Sequence, residues 1–272
     1  MSQQGQLLTE DAQQHFFKIA YPEGIFRTYV DYYFEIQLAP QATTFYINGL
    51  PSVNTLIAFN INCHPWTSVK DGTDTPIIHQ QAALLGQIST LYTGAYCGGM
   101  HTFFVKLRSG ISPLLFREAA GFFENTQAEF SYLWKDNQLE EQIQSACNFE
   151  TRIQLFQHSL LQRIHDLPHL YKVERLHRIM RSFHTLQFKG EKEIETICKN
   201  NWISYSSARR DFLQYVGFTP KYSQQIIRFK NALKAYKKEG YQFYCEDYGY
   251  TDFSHFAKDA RLITGRPPSA LI

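Results

Sequence analysis

Five cysteines are dispersed over 272 residues, at Cys63, Cys97, Cys147, Cys198 and Cys245, and no two form a CxxC pair. An odd, scattered set excludes a disulfide framework and a thiolate zinc site, and it suits a reducing compartment; the expected location is the cytoplasm. No run of about eighteen uncharged apolar residues occurs, so no membrane span is expected. The polar start, Met1 to Gln14, lacks the basic and apolar regions of a signal peptide and is the one stretch expected to be disordered. Enzyme signatures are missing too. There is no Gly-x-Ser-x-Gly elbow and no phosphate-cradling glycine loop. His64, His79 and His101 stand singly, without the close histidine pair of a metal-binding barrel, and read as hydrogen-bonded structural residues. Cys97 beside Gly98-Gly99 has no base in view to make it a nucleophile. A chain with no catalytic residue, no metal and no cofactor is expected.

What is present is an ordinary globular composition, 44% hydrophobic and 19% charged, with a charge asymmetry beneath a net +2. Residues 1–170 hold 9 Lys+Arg against 15 Asp+Glu, whereas residues 171–272 hold 18 against 10. An acidic front and a basic back point to a polyanionic partner for the back, or to a solvated lysine-rich surface. The length suits two compact units.

The front reads as strands. Phe26 to Leu38 is aromatic and β-branched, and Thr43 to Asn62, Ile77 to Ile88 and Tyr96 to Leu107 carry further short strand-like runs between turn signals at Asn48-Gly49, Asp71-Gly72 and Gly98-Gly99. The pattern implies a small β-barrel or a sandwich. Tyr29, Tyr32, Tyr33, Phe34, Phe45 and Tyr46 could line a pocket, but aromatics in strands are more often core. After Pro113 the hydrophobic period lengthens to that of a helix. Leu139, Ile143 and Ala146 share one face, and Asn148 is a plausible N-cap for a helix burying Ile153, Phe156, Leu160 and Ile164. These helices suit a dimer surface, a coupling element or intrachain packing. Asp166-Leu167-Pro168 breaks the pattern, giving an expected division into 1–167 and 168–272.

The back repeats itself. At an offset of 48, Ser204 matches Asp252, Ser206 matches Ser254, Arg210 matches Lys258, Gly217 matches Gly265 and Pro220 matches Pro268. Upstream the offset is 47, pairing Ile197-Cys198 with Tyr244-Cys245. Each copy predicts a short helix (Glu191 to Asn200, or Tyr241 to Tyr248) ending in a small residue for close packing. A turn, an N-cap and a second helix closed by glycine follow. That order is a helix-turn-helix, which offers its second helix to the major groove. Between the copies, Tyr222, Ile226, Phe229, Leu233 and Tyr236 form one helical stripe. The helix predicted there is about seventeen residues, roughly 25 Å, a length compatible with two units set one DNA turn, roughly 34 Å, apart.

The stretches GFTPKYSQQIIRFKNAL (Gly217 to Leu233) and DYGYTDFSHFAKDARLITGRPP (Asp247 to Pro268) resemble the double helix-turn-helix domain of AraC/XylS-type bacterial transcription regulators. The resemblance covers about Lys172 to Ile272 and implies an all-α bundle whose two recognition helices enter successive major-groove segments of double-stranded promoter DNA. It assigns Ser206, Arg209 and Arg210 on the first recognition helix, and Phe253, Ser254, His255 and Lys258 on the second, to DNA contact. Arginine suits guanine O6 and N7, Phe253 a thymine methyl, and Lys258 a guanine or a phosphate. His255 alternatively caps or packs within its unit. Lys199, Lys221 and Lys230 are generic phosphate candidates. More loosely, the front, above all FFVKLRSGISPLLF (Phe103 to Phe116), is similar to the cupin-like α+β sensing domain of such regulators. That likeness implies a small-molecule effector or homodimer formation, and it allows contact with RNA polymerase. Ala208 and Ala260 depart from the family pattern, which has large apolar residues there. An alternative reading is therefore a metabolite-binding barrel protein whose helical domain serves protein contacts rather than DNA.

Overall fold

The computed structural model describes residues 16–62, 64–165, 167–185 and 191–272; Met1 to Gln14, Cys63 and Asp166 lie outside the described residues. Among the described residues the front contains ten strands: β1 (Phe16–Ala20), β2 (Val30–Gln37), β3 (Phe45–Gly49), β4 (Thr55–Asn60), β5 (Trp66–Lys70), β6 (Ile77–His79), β7 (Ala83–Leu85), β8 (Tyr92–Tyr96), β9 (His101–Leu107) and β10 (Gln127–Glu129). They form a six-stranded sheet ordered β1-β2-β9-β4-β7-β10 and a four-stranded sheet ordered β3-β8-β5-β6. Among the described residues these sheets do not close on one another. The small barrel expected from the sequence is an open pair of sheets, because β1 and β10 at one pair of edges, and β3 and β6 at the other, have no further strand partner.

Alternation along β2 sets the layers. Tyr33 and Glu35 point toward helices: the Tyr33 ring meets Phe156 edge-on at 6.3 Å, and Glu35 accepts from Arg152 Nη1 at 2.8 Å. Phe34, on the opposite face, stacks on Phe104 at 4.4 Å, and Phe104 lies 6.2 Å from Trp66 of the smaller sheet. The helices on the outer face are α2 (Phe130–Trp134), α3 (Asn137–Ser145) and α4 (Phe149–Ile164), preceded by the short α1 (Ile111–Phe116). Asn148 caps α4 by accepting from the Thr151 amide at 2.8 Å, and Phe156, Leu160 and Ile164 are buried as their spacing predicts.

The back is helical: α5 (Leu170–Thr185), α6 (Glu191–Asn200), α7 (Tyr205–Asp211), α8 (Pro220–Glu239) and α9 (Phe253–Thr264). It does not stand apart from the front. One apolar core runs from Leu107 and Ile111 through Val173 to Phe212 and Ile226. A second core joins Leu50 and Leu91 of the front to Phe229, Leu233, Phe256 and Ala260 of the back. Polar contacts cross the same seam. His177 Nε2 bonds the Ser109 carbonyl at 2.7 Å, Tyr222 Oη donates to the Ser89 carbonyl at 3.2 Å, and Arg266 pairs with Asp71 at 2.5 Å. Burial and the nearby Arg108 push His177 down to about 4, so the imidazole stays neutral there. No helix among the described residues is long and apolar enough to cross a membrane.

Candidate nucleic-acid interface

The first repeat copy folds as its sequence predicts. Helix α6 ends beside Cys198, which is fully buried, so a small side chain lets the following helix pack close. The turn passes through Trp202, a left-handed residue at φ 56° that is 94% exposed. Ser204 Oγ then accepts from the Ser207 amide at 3.2 Å and starts α7. The chain continues through a wider π-type turn over Phe212–Val216 and stops at Gly217, φ +82°. The positive φ favours glycine here, and a Cβ would also sit 2.5 Å from Gln87 Nε2 and displace that side chain from the Ala120 carbonyl.

The second copy differs at its start. A helix over Tyr241 to Tyr248 is expected, yet only single turns of 3-10 helix form, over Gly240–Gln242 and Cys245–Tyr248. Gly240 takes a positive φ, Phe243 is extended, and this aromatic-rich run is poor in strong helix formers. The remainder matches: Asp252 accepts from the His255 amide at 2.7 Å, and α9 ends at Gly265, φ +75°. Helix α8 is twenty residues, roughly 30 Å at 1.5 Å per residue, somewhat longer than its stripe implies. Pro220 opens it, and Ile226, Phe229 and Leu233 lie fully inside.

A repeated clamp that sequence reading missed holds α7 and α9. Asp211 accepts from Arg175 Nη2 of α5 at 2.8 Å, with Lys172 at 3.9 Å. At the same offset of 48, Asp259 accepts from Arg228 Nη2 of α8 at 2.8 Å and from Tyr250 Oη at 2.8 Å; Gln225 Nε2 also donates to it. The signal was available, since Asp211 and Asp259 are one more pair in the repeat. Both aspartates are buried, which fixes the inner face of each helix and leaves the outer face free.

On those outer faces Ser206, Arg209 and Arg210 are exposed, as are Ser254 and Lys258. Phe253 is half-exposed and leans on Tyr236, ring centroids 5.5 Å apart. His255 is engaged inside its unit: Nδ1 lies 3.1 Å from Thr251 Oγ1 and the ring meets Tyr250 edge-on at 5.1 Å. Four exposed residues extend the rows beyond those expected, Leu213 and Gln214 on the first helix and Arg261 and Leu262 on the second. Lys199 and Lys221 are exposed, whereas Lys230 is only partly exposed. It turns inward and lines a cavity in the front. Ala208 and Ala260 are both fully buried within continuous apolar cores, so the small side chains leave the helices closely packed.

The architecture is that of one helix-turn-helix and a second unit of short turns and a capped helix, each with a clamped, N-capped helix, joined by one connecting helix and packed on a two-sheet front. No protein-family model matches the chain, and no curated protein matches it. Among solved structures it is similar to ToxT from Vibrio cholerae, at 9% identity and a TM-score of 0.44, covering 93% of this chain and 97% of that one. It is similar also to ToxT from Vibrio cholerae O395 bound to (E)-4-(8-methylnaphthalen-1-yl)but-3-enoic acid, at 11% identity and a TM-score of 0.40 over 93% and 97%. A third likeness is to the AraC-like transcriptional activator CuxR, at 13% identity and a TM-score of 0.30 over 86% and 90%.

Proposed function

We propose that this chain is a sequence-specific, DNA-binding transcription regulator of the AraC type whose back, from about Pro168, reads promoter DNA and whose front senses a small effector. The observation that carries the reading is the duplicated presentation of Ser206–Arg210 and Ser254–Lys258 on capped helices whose inner faces are clamped by Asp211 and Asp259. Selection of bound oligonucleotides by the full chain tests it; enrichment of a two-part motif is expected, and recovery of no motif rejects it in favour of protein contacts. Arg210→Ala is expected to weaken cognate binding by about 1–3 kcal/mol and to relax preference at one position. Affinity should fall steeply with added salt, since phosphate contacts release counterions. Within this reading His255 positions the start of α9 instead of touching a base.

The effector site is the cavity of about 290 Å³ between the two sheets, whose lining includes Phe34, Ile36, Trp66, Tyr96, Lys106 and Lys230. Lys106 is already engaged, by Asp31 at 3.1 Å and by Tyr32 Oη at 3.4 Å. Burial alone would lower Lys106, and these partners hold it above its ordinary value. Lys230 has no ion pair or hydrogen bond among the described residues; burial, reinforced by Lys106 and only partly opposed by Asp31, pushes it down to about 7. An anionic head group supplies the partner Lys230 lacks. Because Lys230 is carried by α8, which spans both units, an anion there biases the DNA-reading back directly.

A pH dependence follows, with a definite sign. Below about 7 Lys230 is charged and ready for an anion, whereas above it binding must first take up a proton. Calorimetry with decanoate should therefore show affinity falling as pH rises from about 6 to about 8.5, with proton uptake at the upper end. Lys230→Met should weaken decanoate at least tenfold and remove that dependence.

A further inference from the structure

The turn inside each repeat copy closes with the same two backbone hydrogen bonds. In the first, the Trp202 amide donates to the Lys199 carbonyl at 2.9 Å and the Ile203 amide to the Cys198 carbonyl at 3.1 Å. In the second, the Gly249 amide donates to the Glu246 carbonyl at 3.0 Å and the Tyr250 amide to the Cys245 carbonyl at 3.3 Å. This pair of bonds is the Schellman motif, and it places one residue in the left-handed region, where glycine fits best. The second copy has glycine there, Gly249 at φ 75°, but the first has Trp202 at φ 56°. Ile203 and Tyr250, the next residue in each copy, are buried and anchor their turns alike.

A tryptophan at that position works against its own backbone, because in the left-handed conformation a Cβ crowds the following carbonyl oxygen. The fold makes little use of the ring in return. Trp202 is 94% exposed, whereas the other two tryptophans, Trp66 and Trp134, are 3% and 0% exposed. A disfavoured backbone conformation that holds a large side chain out in solvent points to a partner outside the chain. Its placement names that partner. In a helix-turn-helix the first helix crosses the sugar-phosphate backbone and the start of the second enters the major groove, so the turn between them runs along the groove wall. Trp202 stands two residues before Ser204, the cap of α7. Lys199 before it, and Ser206 and Arg209 after it, are exposed as well.

We propose that Trp202 is a positioning residue for the first unit on DNA: its ring packs on a deoxyribose at the groove edge, and its indole N–H donates to an adjoining phosphate oxygen. The proposal rests on the DNA-reading function above and adds to it a residue that reads no base. Contacts of this kind fix register and orientation on the duplex, here the point at which α7 enters the groove. Gly249 leaves the second unit without a counterpart, so the two units hold the backbone unequally, and the half-site under α7 is the better anchored.

Trp202→Gly in the full chain tests this, because its effects on stability and on binding should have opposite signs. Glycine suits the left-handed position, so the denaturant midpoint should hold or rise, and a binding defect is then not a folding defect. Affinity for the selected oligonucleotide should fall about tenfold, the scale of one hydrogen bond to a charged acceptor. A scrambled oligonucleotide should lose as much, since a backbone contact carries no base information. The indole is uncharged, so the slope of log affinity against log salt should not change, whereas Lys199→Ala should reduce it by about 1. Trp202→Phe keeps a ring without the donor and should fall between. Acrylamide quenching gives a direct view, because Trp202 is the one exposed tryptophan: DNA should shield it in the wild type. Unchanged affinity in Trp202→Gly, or a Trp202 still open to acrylamide in the complex, overturns the proposal and leaves the base-reading residues standing. Transcription in vitro that falls while DNA affinity holds would assign Trp202 to a protein partner and overturns it too. If the wild type selects no oligonucleotide, the regulator reading fails and this one with it.

Discussion

Asp259→Ala is expected to destabilise the second helix-turn-helix unit by about 3–5 kcal/mol, the cost of leaving one member of a buried ion pair without its partner. Arg228 would remain in place, packed over the Tyr250 ring at 4.4 Å, with its charge uncompensated. Tyr250 Oη and Gln225 Nε2 would lose their acceptor at the same time. Burial, the largest cause of the raised Tyr250 phenol, persists in the variant and opposes its ionising to offset the loss. The damage should be local at first, because Asp259 is what ties α9 to α8. Hydrogen exchange read residue by residue should show α9 amides losing protection, with α3 and α4 unaffected. Asp259→Asn keeps an acceptor for Tyr250 and should recover part of the loss. Asp211→Ala should act in the same direction on α7 through Arg175. Unchanged exchange in α9 of the alanine variant would show that the apolar contacts alone hold α9, and the clamp would lose its assigned role.

That clamp also shows what could be read ahead of the structure. Caps, stops and stripes depend on neighbours within a few residues. Ser204, Asp252, Asn148, Gly217, Gly265 and the α8 stripe were legible for that reason, and their geometry agrees. The repeat made the aspartate pair legible in principle, although an acidic residue on a helix read for its basic side chains invites no attention until its arginine is seen behind it. The helix expected over Tyr241 to Tyr248 reduces to two short turns because packing against Tyr236 and Phe256, through Phe243, decides that segment over helical periodicity. The cavity was not legible. It requires the pairing of β2, β9, β4, β7 and β10 in one register, and it draws Lys230 from a helix whose sequence reads as an ordinary basic surface. The front aromatics likewise divide by strand parity, Tyr32 and Phe34 to the cavity and Tyr33 to the helices, while Tyr46 is 70% exposed.

Arg152→Ala should cost about 3–5 kcal/mol in the front for the same physical reason, with a different reach. Arg152 is the polar centre of the seam between α4 and the larger sheet. It donates to Glu35 at 2.8 Å, to the Ile143 carbonyl at 3.3 Å and to the Ala146 carbonyl at 2.7 Å. Glu35 is 2% exposed and keeps His101, at 3.2 Å, and the charge of Lys18 once the arginine is gone. Burial by itself would raise the Glu35 carboxyl, but the His101 hydrogen bond and the charges of Arg152, His101 and Lys18 hold it below its ordinary value. A carboxyl lowered by folding contributes stability above its unfolded pKa and loses it as pH falls through the folded one. The wild type should therefore weaken on acidification below about pH 4.5, and the alanine variant should lose much of that slope along with its stability. Denaturant midpoints at neutral and acidic pH measure both effects. Arg152→Met combined with Glu35→Leu removes the charges together and should be far less damaging than either charge left alone, since a buried pair replaced by apolar side chains often costs little. Equal damage from the double and the single variant would mean that the two carbonyl contacts, and not the ion pair, hold α3 and α4 to the sheet that floors the cavity.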